Sequence, residues 1–232
     1  MRAAARLLVL GCALLVAGCV QAPPPVAPSA GLPEATQARA GTSATQRAAE
    51  LTVRVRNRGC DGLGVGSGFA VASRLLVTNR HVVEDAEELQ LDTWDGRSVG
   101  VQVHRSAFLY DLAVIETVQP LPRVAQLAET DPVPGAPVTV VGYPEAGPLR
   151  QTTGEVIDSV PGADLDNAGK VLRINALVQH GNSGGPLLDA DGKVAGVVYA
   201  IEVASGYGLA IPVSSLRRVI ANRPAFSPPA GC

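Results

Sequence analysis

A serine inside a tight glycine turn restricts the fold of this chain more than any other feature of its sequence. The turn runs from Gly181 to Pro186 with Ser183 inside it, and apolar, strand-like runs flank it at residues 174–178 and 186–188. Because glycine adopts backbone conformations that other residues avoid, such a turn can direct successive N–H groups at one point. Fixed donors of this kind, with no side chains in the way, are what an oxyanion hole requires.

A base and a carboxylate that could activate Ser183 lie earlier in the chain. A serine hydroxyl is a poor nucleophile and needs both groups. His81 follows a predicted strand at the start of a helical turn, and Asp111 stands at the head of the apolar run 111–115. This position at the head of a buried strand favours Asp111 over three acidic residues near it in sequence, namely Asp92, Asp95 and Glu116.

Three motifs together resemble those of the chymotrypsin-like serine proteases. They are VTNRHVV at residues 77–83, DLAV at 111–114 and GNSGGP at 181–186. The bacterial HtrA-like enzymes, which share the Asn-Ser pair, are the most similar branch, and the resemblance covers roughly residues 50–222. It implies a catalytic triad in which Ser183 is the nucleophile, His81 the general base and Asp111 the group that orients the imidazole. It also implies that the N–H groups of Gly181 and Ser183 form the oxyanion hole.

The chain departs from its apparent relatives at two points. Zymogen-type relatives have Asp where this chain has Asn182, and Asn cannot pair with a newly formed N-terminus. We therefore expect no activating cleavage inside the domain. HtrA-like enzymes also carry a PDZ domain, and we expect none after residue 222, so peptide-activated trimer regulation is not expected here.

Short predicted strands separated by turn residues dominate the pattern along the chain, which has 25 glycines and 18 prolines. About six strands precede a Pro-rich link at residues 120–137, about six follow it, and a short helix at 213–221 closes the chain. Such a pattern predicts barrels or sandwiches. The resemblance implies an all-β fold of two six-stranded antiparallel β-barrels, at residues 49–130 and 131–222, with the site in the cleft between them. A tail follows at 223–232.

Composition restricts the partners. The formal net charge is −2 and 47% of the residues are hydrophobic, which is typical of a globular protein without the basic surface that nucleic acids require. We expect protein or peptide substrates, no nucleic acid, no cofactor and no metal ion.

The first 48 residues resemble an export signal and a linker. Residues 1–18 have basic Arg2 and Arg6, then an apolar run too short to span a bilayer. Residues 16–19 read VAGC, which resembles a bacterial lipobox and implies cleavage before a lipidated Cys19. An ordinary secretory signal is the alternative. Residues 19–48 are rich in Pro and Ala and predict a flexible tether, so we expect a lipid-anchored protein facing the periplasm or cell exterior.

Two further cysteines remain after removal of the signal. Similarity to MarP-like periplasmic proteases implies a disulfide between Cys60 and Cys232, in an export compartment that permits one. Two separate thiols, or an intermolecular bridge through Cys232, are the alternatives.

The resemblance also implies the residues of a substrate pocket. Leu177 would lie at its base, and its walls would be formed by Val198, Tyr199, Ala200, Leu209 and Ala210. None is charged, which favours a small or medium aliphatic substrate side chain. His104 and His180 are interpreted as structural, although His180 adjoins the turn and could contact substrate. A non-catalytic envelope binding protein built on the same fold is the alternative function.

Overall fold

Short antiparallel strands form two successive β units, as the alternation of apolar and polar residues predicts. The computed structural model describes residues 43–60, 62–107, 109–162, 169–222 and 226–227. The predicted signal segment, Cys19, most of the tether and Cys232 lie outside the described residues.

Among the described residues, the first unit contains six long strands and two strands of only two residues. In chain order its elements are α1 (Ala44–Leu51), β1 (Thr52–Gly59), β2 (Gly62–Ala72), β3 (Leu75–Asn79), α2 (Arg80–Val83), β4 (Ala86–Thr93), β5 (Ser98–Val99), β6 (Val101–Ala107), a 3-10 turn (Leu109–Asp111) and β7 (Leu112–Thr117). The hydrogen-bonded order is β14-β6-β7-β3-β2-β1-β4-β5, where β14 (Phe226–Ser227) comes from the chain end.

The second unit is a closed six-stranded barrel. Its elements are β8 (Pro137–Gly142), a 3-10 turn (Pro144–Ala146), β9 (Arg150–Pro161), β10 (Lys170–Ile174), β11 (Pro186–Leu188), β12 (Val194–Ile201), β13 (Gly208–Pro212) and the helix α3 (Val213–Ala221). The strand order around the barrel is β10-β13-β12-β11-β8-β9.

The predicted all-β fold with two barrels and a short closing helix is confirmed. The first barrel differs from a plain six-stranded one, because the two short strands β5 and β14 extend its sheet to eight. Strands of two residues are too brief to produce an alternation pattern, so the sequence did not indicate them.

Helix α1 was not predicted and overlaps the end of the proposed tether. The hydroxyl of Ser43 caps it by accepting a hydrogen bond from the backbone N–H of Gln46 at 3.1 Å. Ala48 and Leu51, three residues apart on one face, are buried. Among the described residues, regular structure therefore begins at Ala44, inside the segment 19–48 that was predicted as a tether.

One apolar cluster joins the two barrels and both terminal helices. It includes Leu51 from α1, Phe69 and Leu112 from the first barrel, and Ile211 and Leu216 from the second barrel and α3. Because the barrels bury apolar surface against each other, residues at the ends of their strands meet across the junction. The predicted triad lies at such ends: His81 after β3, Asp111 before β7 and Ser183 before β11.

Candidate active site

His81 and Asp111 form a tightly bonded pair in the first barrel. The Nδ1 atom of His81 lies 2.6 Å from Oδ2 of Asp111, and the backbone N–H of His81 donates to Oδ1 at 3.1 Å. A carboxylate only accepts hydrogen bonds, so Nδ1 of His81 is the donor, and in the neutral imidazole the lone pair lies on Nε2. The Asp111 side chain is 9% exposed, whereas the His81 side chain is 47% exposed. The imidazole is thus oriented from its buried side, and its open side has the lone pair that a general base needs.

The backbone of Asp111 adopts a conformation that non-glycine residues seldom occupy. Its φ is +47°, and the preceding Tyr110 has φ +69°. The buried amide of Asn79, at the end of β3, donates from Nδ2 to the carbonyl oxygen of Asp111 at 3.0 Å. The guanidinium of Arg218 in α3 donates to the hydroxyl of Tyr110 at 2.9 Å. Left-handed non-glycine residues persist where surrounding contacts hold them, and they concentrate at functional sites.

The turn around Ser183 depends on glycine at two positions. Gly181 has φ +93° and Gly184 has φ +82°. A Cβ at Gly181 would collide with the carbonyl oxygen of Tyr143, and one at Gly184 would collide with the carbonyl oxygen of Ser67. These glycines therefore allow both a left-handed backbone and a close approach to neighbouring chain.

The turn contacts the segment that holds His81. The backbone N–H of Ser67 on β2 donates to the carbonyl oxygen of Ser183 at 2.7 Å. A Cβ built on Gly66 would lie 2.6 Å from the Val82 side chain and 3.1 Å from that same Ser183 oxygen. The residue after His81 and the backbone of Ser183 thus meet at one point across the junction of the barrels.

The hydroxyl of Ser183 is not bonded to His81 among the described residues. It donates instead to the carbonyl oxygen of Tyr199 on β12 at 3.3 Å. The structure therefore has the His81–Asp111 pair assembled, and the Ser183 hydroxyl directed at the second barrel.

Two backbone N–H groups of the turn have no acceptor within the described protein, and they are those of Gly181 and Ser183. The other N–H groups of the turn are hydrogen-bonded to backbone carbonyl oxygens: Asn182 donates to Gln179, Gly184 to Val198 and Gly185 to Asn182, at 2.7–3.0 Å. Backbone donors in a folded interior are almost always paired. Two unpaired donors flanking Asn182 are the groups expected of an oxyanion hole.

The sequence pattern did not indicate the side chains and the loop that support this turn. The hydroxyl of buried Ser67 donates to the carbonyl oxygen of Gly181 at 2.7 Å and accepts from the N–H of Tyr143 at 3.0 Å. The N–H of Glu145 donates to the carbonyl oxygen of His180 at 2.7 Å. The run of glycines around Ser67 within a strand was an available signal, since glycine in a strand often marks close approach of another backbone.

The predicted pocket residues separate into two groups. Tyr199, Ala200 and Leu209 line a cavity of about 360 Å³. The other walls include Val160, Val171 and Glu202, so one wall residue is charged. The remaining three predicted residues do not line this cavity: Leu177 is 63% exposed, and Val198 and Ala210 are fully buried. Tyr199 lines this cavity, and its carbonyl oxygen also accepts the hydrogen bond from the Ser183 hydroxyl.

The other candidate residues lie apart from the pair. Asp92 forms an ion pair with Arg56 at 2.9 Å, and hydrogen bonding from Thr93 lowers the pKa of Asp95. His104 on β6 is partly buried, and burial lowers its pKa. The side chain of His180 is exposed. Cys60 is disulfide-bonded; because Cys232 is not among the described residues, their pairing stays a prediction.

A family model described as the trypsin-like peptidase domain matches residues 66–197, which is more than half of the chain. The chain belongs to the trypsin-like peptidases. This match covers His81, Asp111 and Ser183 together with Ser67 and the 143–147 segment.

Curated relatives of this trypsin-like chain are HtrA proteins. It is 33% identical over 168 residues to the putative serine protease HhoB of Synechocystis, covering 68% of this chain and 40% of the relative. It is 32% identical over 174 residues to the serine protease Do-like HtrA of Bacillus subtilis, covering 67% and 38%. The chain therefore spans less than half the length of these relatives.

Solved structures share the fold. The Rv3671c protease of M. tuberculosis in its active form aligns with a TM-score of 0.73 at 24% identity, over 81% of this chain and 86% of that one. A serine endoprotease from Yersinia pestis aligns with a TM-score of 0.66 at 29% identity, over 77% and 64%. Within the described residues of the trypsin-like chain, no helix has the length and apolar character needed to cross a membrane. Those residues also contain no cluster of three or more His, Cys, Asp or Glu side chains that could hold a metal ion.

Proposed function

We propose that this chain is a serine endopeptidase that hydrolyses peptide bonds through Ser183, His81 and Asp111. The observation that carries the proposal is the 2.6 Å bond between Asp111 and Nδ1 of His81, next to a turn in which the N–H groups of Gly181 and Ser183 have no acceptor among the described residues. The trypsin-like family and the serine proteases among the relatives support it.

The proposed reaction follows from the positions of these groups. Oγ of Ser183 attacks the carbonyl carbon of the scissile bond while Nε2 of His81 takes the hydroxyl proton. The carbonyl oxygen becomes an oxyanion that accepts from the N–H groups of Gly181 and Ser183. The C–N bond then breaks as His81 gives its proton to the leaving amine. Water, deprotonated by His81, releases the acyl group and restores the Ser183 hydroxyl.

The hydroxyl has to leave the Tyr199 carbonyl before this reaction begins. A neutral hydrogen bond contributes only about 0.5–1.5 kcal/mol net, so its loss is a small barrier compared with the chemistry. We propose that substrate binding next to Tyr199 moves the hydroxyl toward His81. Asn182 supports the absence of zymogen cleavage in the domain, since its Oδ1 accepts from the N–H of Gln179 at 3.0 Å and needs no new N-terminus.

The proposed substrates are proteins or peptides of the cell envelope or exterior. The sequence supports this location through its export-like segment 1–18, the lipobox cysteine Cys19 and the tether that follows. A Cys60–Cys232 disulfide would suit such a compartment, which permits disulfides. The apolar cavity walls Val160, Val171 and Leu209 support a small or medium aliphatic side chain in the substrate.

A fluorophosphonate probe and fluorescein-labelled casein test the proposal. We expect the full chain to be labelled and to cleave casein, and Ser183→Ala to abolish both. The matched control is Ser73→Ala, which removes an exposed hydroxyl in the β2–β3 turn. If wild-type protein resists the probe and leaves casein intact, the endopeptidase function is wrong.

One observation favours a second candidate, a non-catalytic binding protein. The Ser183 hydroxyl is bonded to Tyr199 and not to His81, within the described residues. A permanent arrangement of this kind would leave a cleft that holds peptides without cutting them. Under this second function, protein that the fluorophosphonate does not label would still bind peptides, and this binding would not depend on Ser183.

A further inference from the structure

Arg54 on β1 of the first barrel reaches a short loop of the second barrel. Its guanidinium carbon lies 4.6 Å from the centre of the Tyr143 ring, and its Nη2 donates to the carbonyl oxygen of Gly147 at 2.6 Å. One side chain thus binds both ends of the segment 143–147, which we call the clamp loop. An arginine can do this because its planar guanidinium stacks on a ring and donates in its own plane at the same time.

The clamp loop has a backbone conformation that its sequence disfavours. Glu145 has φ +52° and Ala146 has φ +58°, two successive left-handed residues without a glycine. Alanine has no side chain with which to stabilise that conformation, so it is held by contacts outside the residue. Arg54 makes one contact at each end of the loop, at the Tyr143 ring and at the Gly147 carbonyl oxygen.

The same loop fixes the Ser183 turn. The N–H of Glu145 donates to the carbonyl oxygen of His180, and the carbonyl oxygen of Tyr143 packs where a Cβ of residue 181 would be. The N–H of Tyr143 donates to Ser67, which in turn donates to the carbonyl oxygen of Gly181. The peptide unit between residues 180 and 181 carries the Gly181 N–H, so these bonds determine where that donor points.

Tyr143 is embedded in this junction. It is buried, and burial raises the pKa of its phenol to about 12. Its hydroxyl has no hydrogen-bond partner in the described part of the chain. The ring is therefore held by packing and by the guanidinium above it, and not by its hydroxyl.

We propose that Arg54 is a positioning residue that holds the clamp loop in its left-handed conformation and thereby sets the oxyanion donors of the Ser183 turn. This inference rests on the proposed endopeptidase function. Arg54 touches neither substrate nor reacting atoms; it acts through the loop. The oxyanion site is consequently built by both barrels, with the N–H groups from the second and the clamp from the first.

The test compares Arg54→Met with Arg58→Met in the full-length chain. Methionine keeps an apolar stem and removes the guanidinium. Arg58 lies on the same strand, in an exposed ion pair with Glu88. We measure the rate of fluorophosphonate labelling against pH, together with the melting temperature.

For Arg54→Met we expect a plateau labelling rate about 10–100-fold below wild type, because misplacing a transition-state group by an ångström costs about this much. The midpoint of the pH profile should not move, since the His81–Asp111 pair is untouched. Arg58→Met should match wild type. The labelling rate of Arg54→Lys should lie between those of Arg54→Met and wild type, because an ammonium can approach the Tyr143 ring but lacks the planar, forked guanidinium.

Amide hydrogen exchange gives a readout that is independent of activity. In Arg54→Met the N–H of Glu145, which donates to His180, should exchange at least about tenfold faster, while amides of β4 and β7 keep their protection. Arg54→Lys keeps this test available if the methionine variant does not fold.

Three results would overturn the inference. The first is a wild-type labelling rate in folded Arg54→Met. The second is a shifted pH midpoint with an unchanged plateau, which would place the effect on His81. The third is unchanged exchange at Glu145. If the wild-type chain shows no Ser183-dependent labelling, the endopeptidase proposal fails together with this one; if only the Arg54 variants match wild type, this inference alone fails.

Discussion

The two halves of the candidate site are built in different ways. His81 and Asp111 come from one barrel, 30 residues apart, and are joined directly by two hydrogen bonds to one carboxylate. The Ser183 turn is held mostly by backbone groups, and its supports Ser67 and Arg54 belong to the other barrel. His81 and Asp111 are therefore preassembled within the first barrel, whereas the position of the Ser183 turn depends on how the barrels meet. Changes at the barrel junction should affect the turn before they affect the pair.

The largest effect is expected from a substitution that disrupts only the His81–Asp111 pair. Asp111→Asn keeps the size of the side chain but offers an amide where Nδ1–H needs an acceptor. The His81 imidazole would no longer be held in the Nδ1–H tautomer or in its present orientation. We therefore expect casein hydrolysis to fall about 10⁴-fold. Steady-state rates measure this, and the melting temperature should stay near wild type. A loss smaller than about tenfold would show that Asp111 does not orient the base.

The next largest effect is expected from a substitution that distorts the backbone of the Ser183 turn. Gly184→Ala forces a Cβ against the carbonyl oxygen of Ser67 and the hydroxyl of Thr78, and we expect about a 10²–10³-fold loss of labelling. Gly192→Ala is the matched control, because Gly192 has a similar φ of +77° and open space around it. Equal losses in both variants would show that only the left-handed backbone matters, and not the close approach.

A smaller effect is expected at the hydroxyl that joins the two halves. Ser67→Ala removes the donor to Gly181 and the acceptor for Tyr143, in a fully buried position. We expect about a tenfold loss of activity, and the free energy of unfolding should fall by about 1–3 kcal/mol. Denaturant titration measures the second quantity. Unchanged activity in a destabilised protein would assign Ser67 to the fold alone.

Tyr110→Phe sharpens the comparison, because it asks whether the preassembled pair also depends on the second barrel. The variant keeps the buried ring and removes the hydroxyl that accepts from Arg218. We expect a stability loss of about 1 kcal/mol and an activity loss of no more than about fivefold, equivalent to a similar energy. A loss of a hundredfold would mean that α3 controls the position of Asp111.

The smallest effect should appear in stability and not in activity. Burial lowers the pKa of His104, so the unfolded chain binds a proton more readily than the folded one. The folded state therefore loses stability as the pH falls below about 6.5, the ordinary histidine pKa. In His104→Gln, thermal unfolding followed at pH 7.5 and pH 5 should show a smaller difference than in wild type. An identical difference would mean that His104 does not titrate in this way.

The sequence predicted the preassembled half more completely than the turn. His81 and Asp111 each sit at the end of an apolar strand, and strand ends in adjacent strands β3 and β7 are brought together by the sheet itself. Ser67, Tyr143 and Arg54 carry no comparable pattern, because their roles arise from contacts between segments more than 70 residues apart. Helix α1 was missed because its apolar face has only Ala48 and Leu51 buried.

The sequence also could not predict the direction of the Ser183 hydroxyl. A side-chain rotation of a single serine changes its acceptor from a carbonyl to an imidazole without altering any strand or turn. The prediction of the pocket residues was limited in the same way. Resemblance placed Leu177 at the base, but the fold of residues 175–179 leaves it exposed, with its carbonyl oxygen accepting from Thr152 at 2.7 Å.

The most direct test of the central claim is a crystal structure of the full chain after reaction with a fluorophosphonate. We expect phosphorus bonded to Oγ of Ser183, away from the Tyr199 carbonyl, and the phosphoryl oxygen about 2.7–3.1 Å from the N–H groups of both Gly181 and Ser183. A protein that forms no adduct, or an adduct whose phosphoryl oxygen faces neither donor, would contradict the claim that the two barrels together form a hydrolytic site.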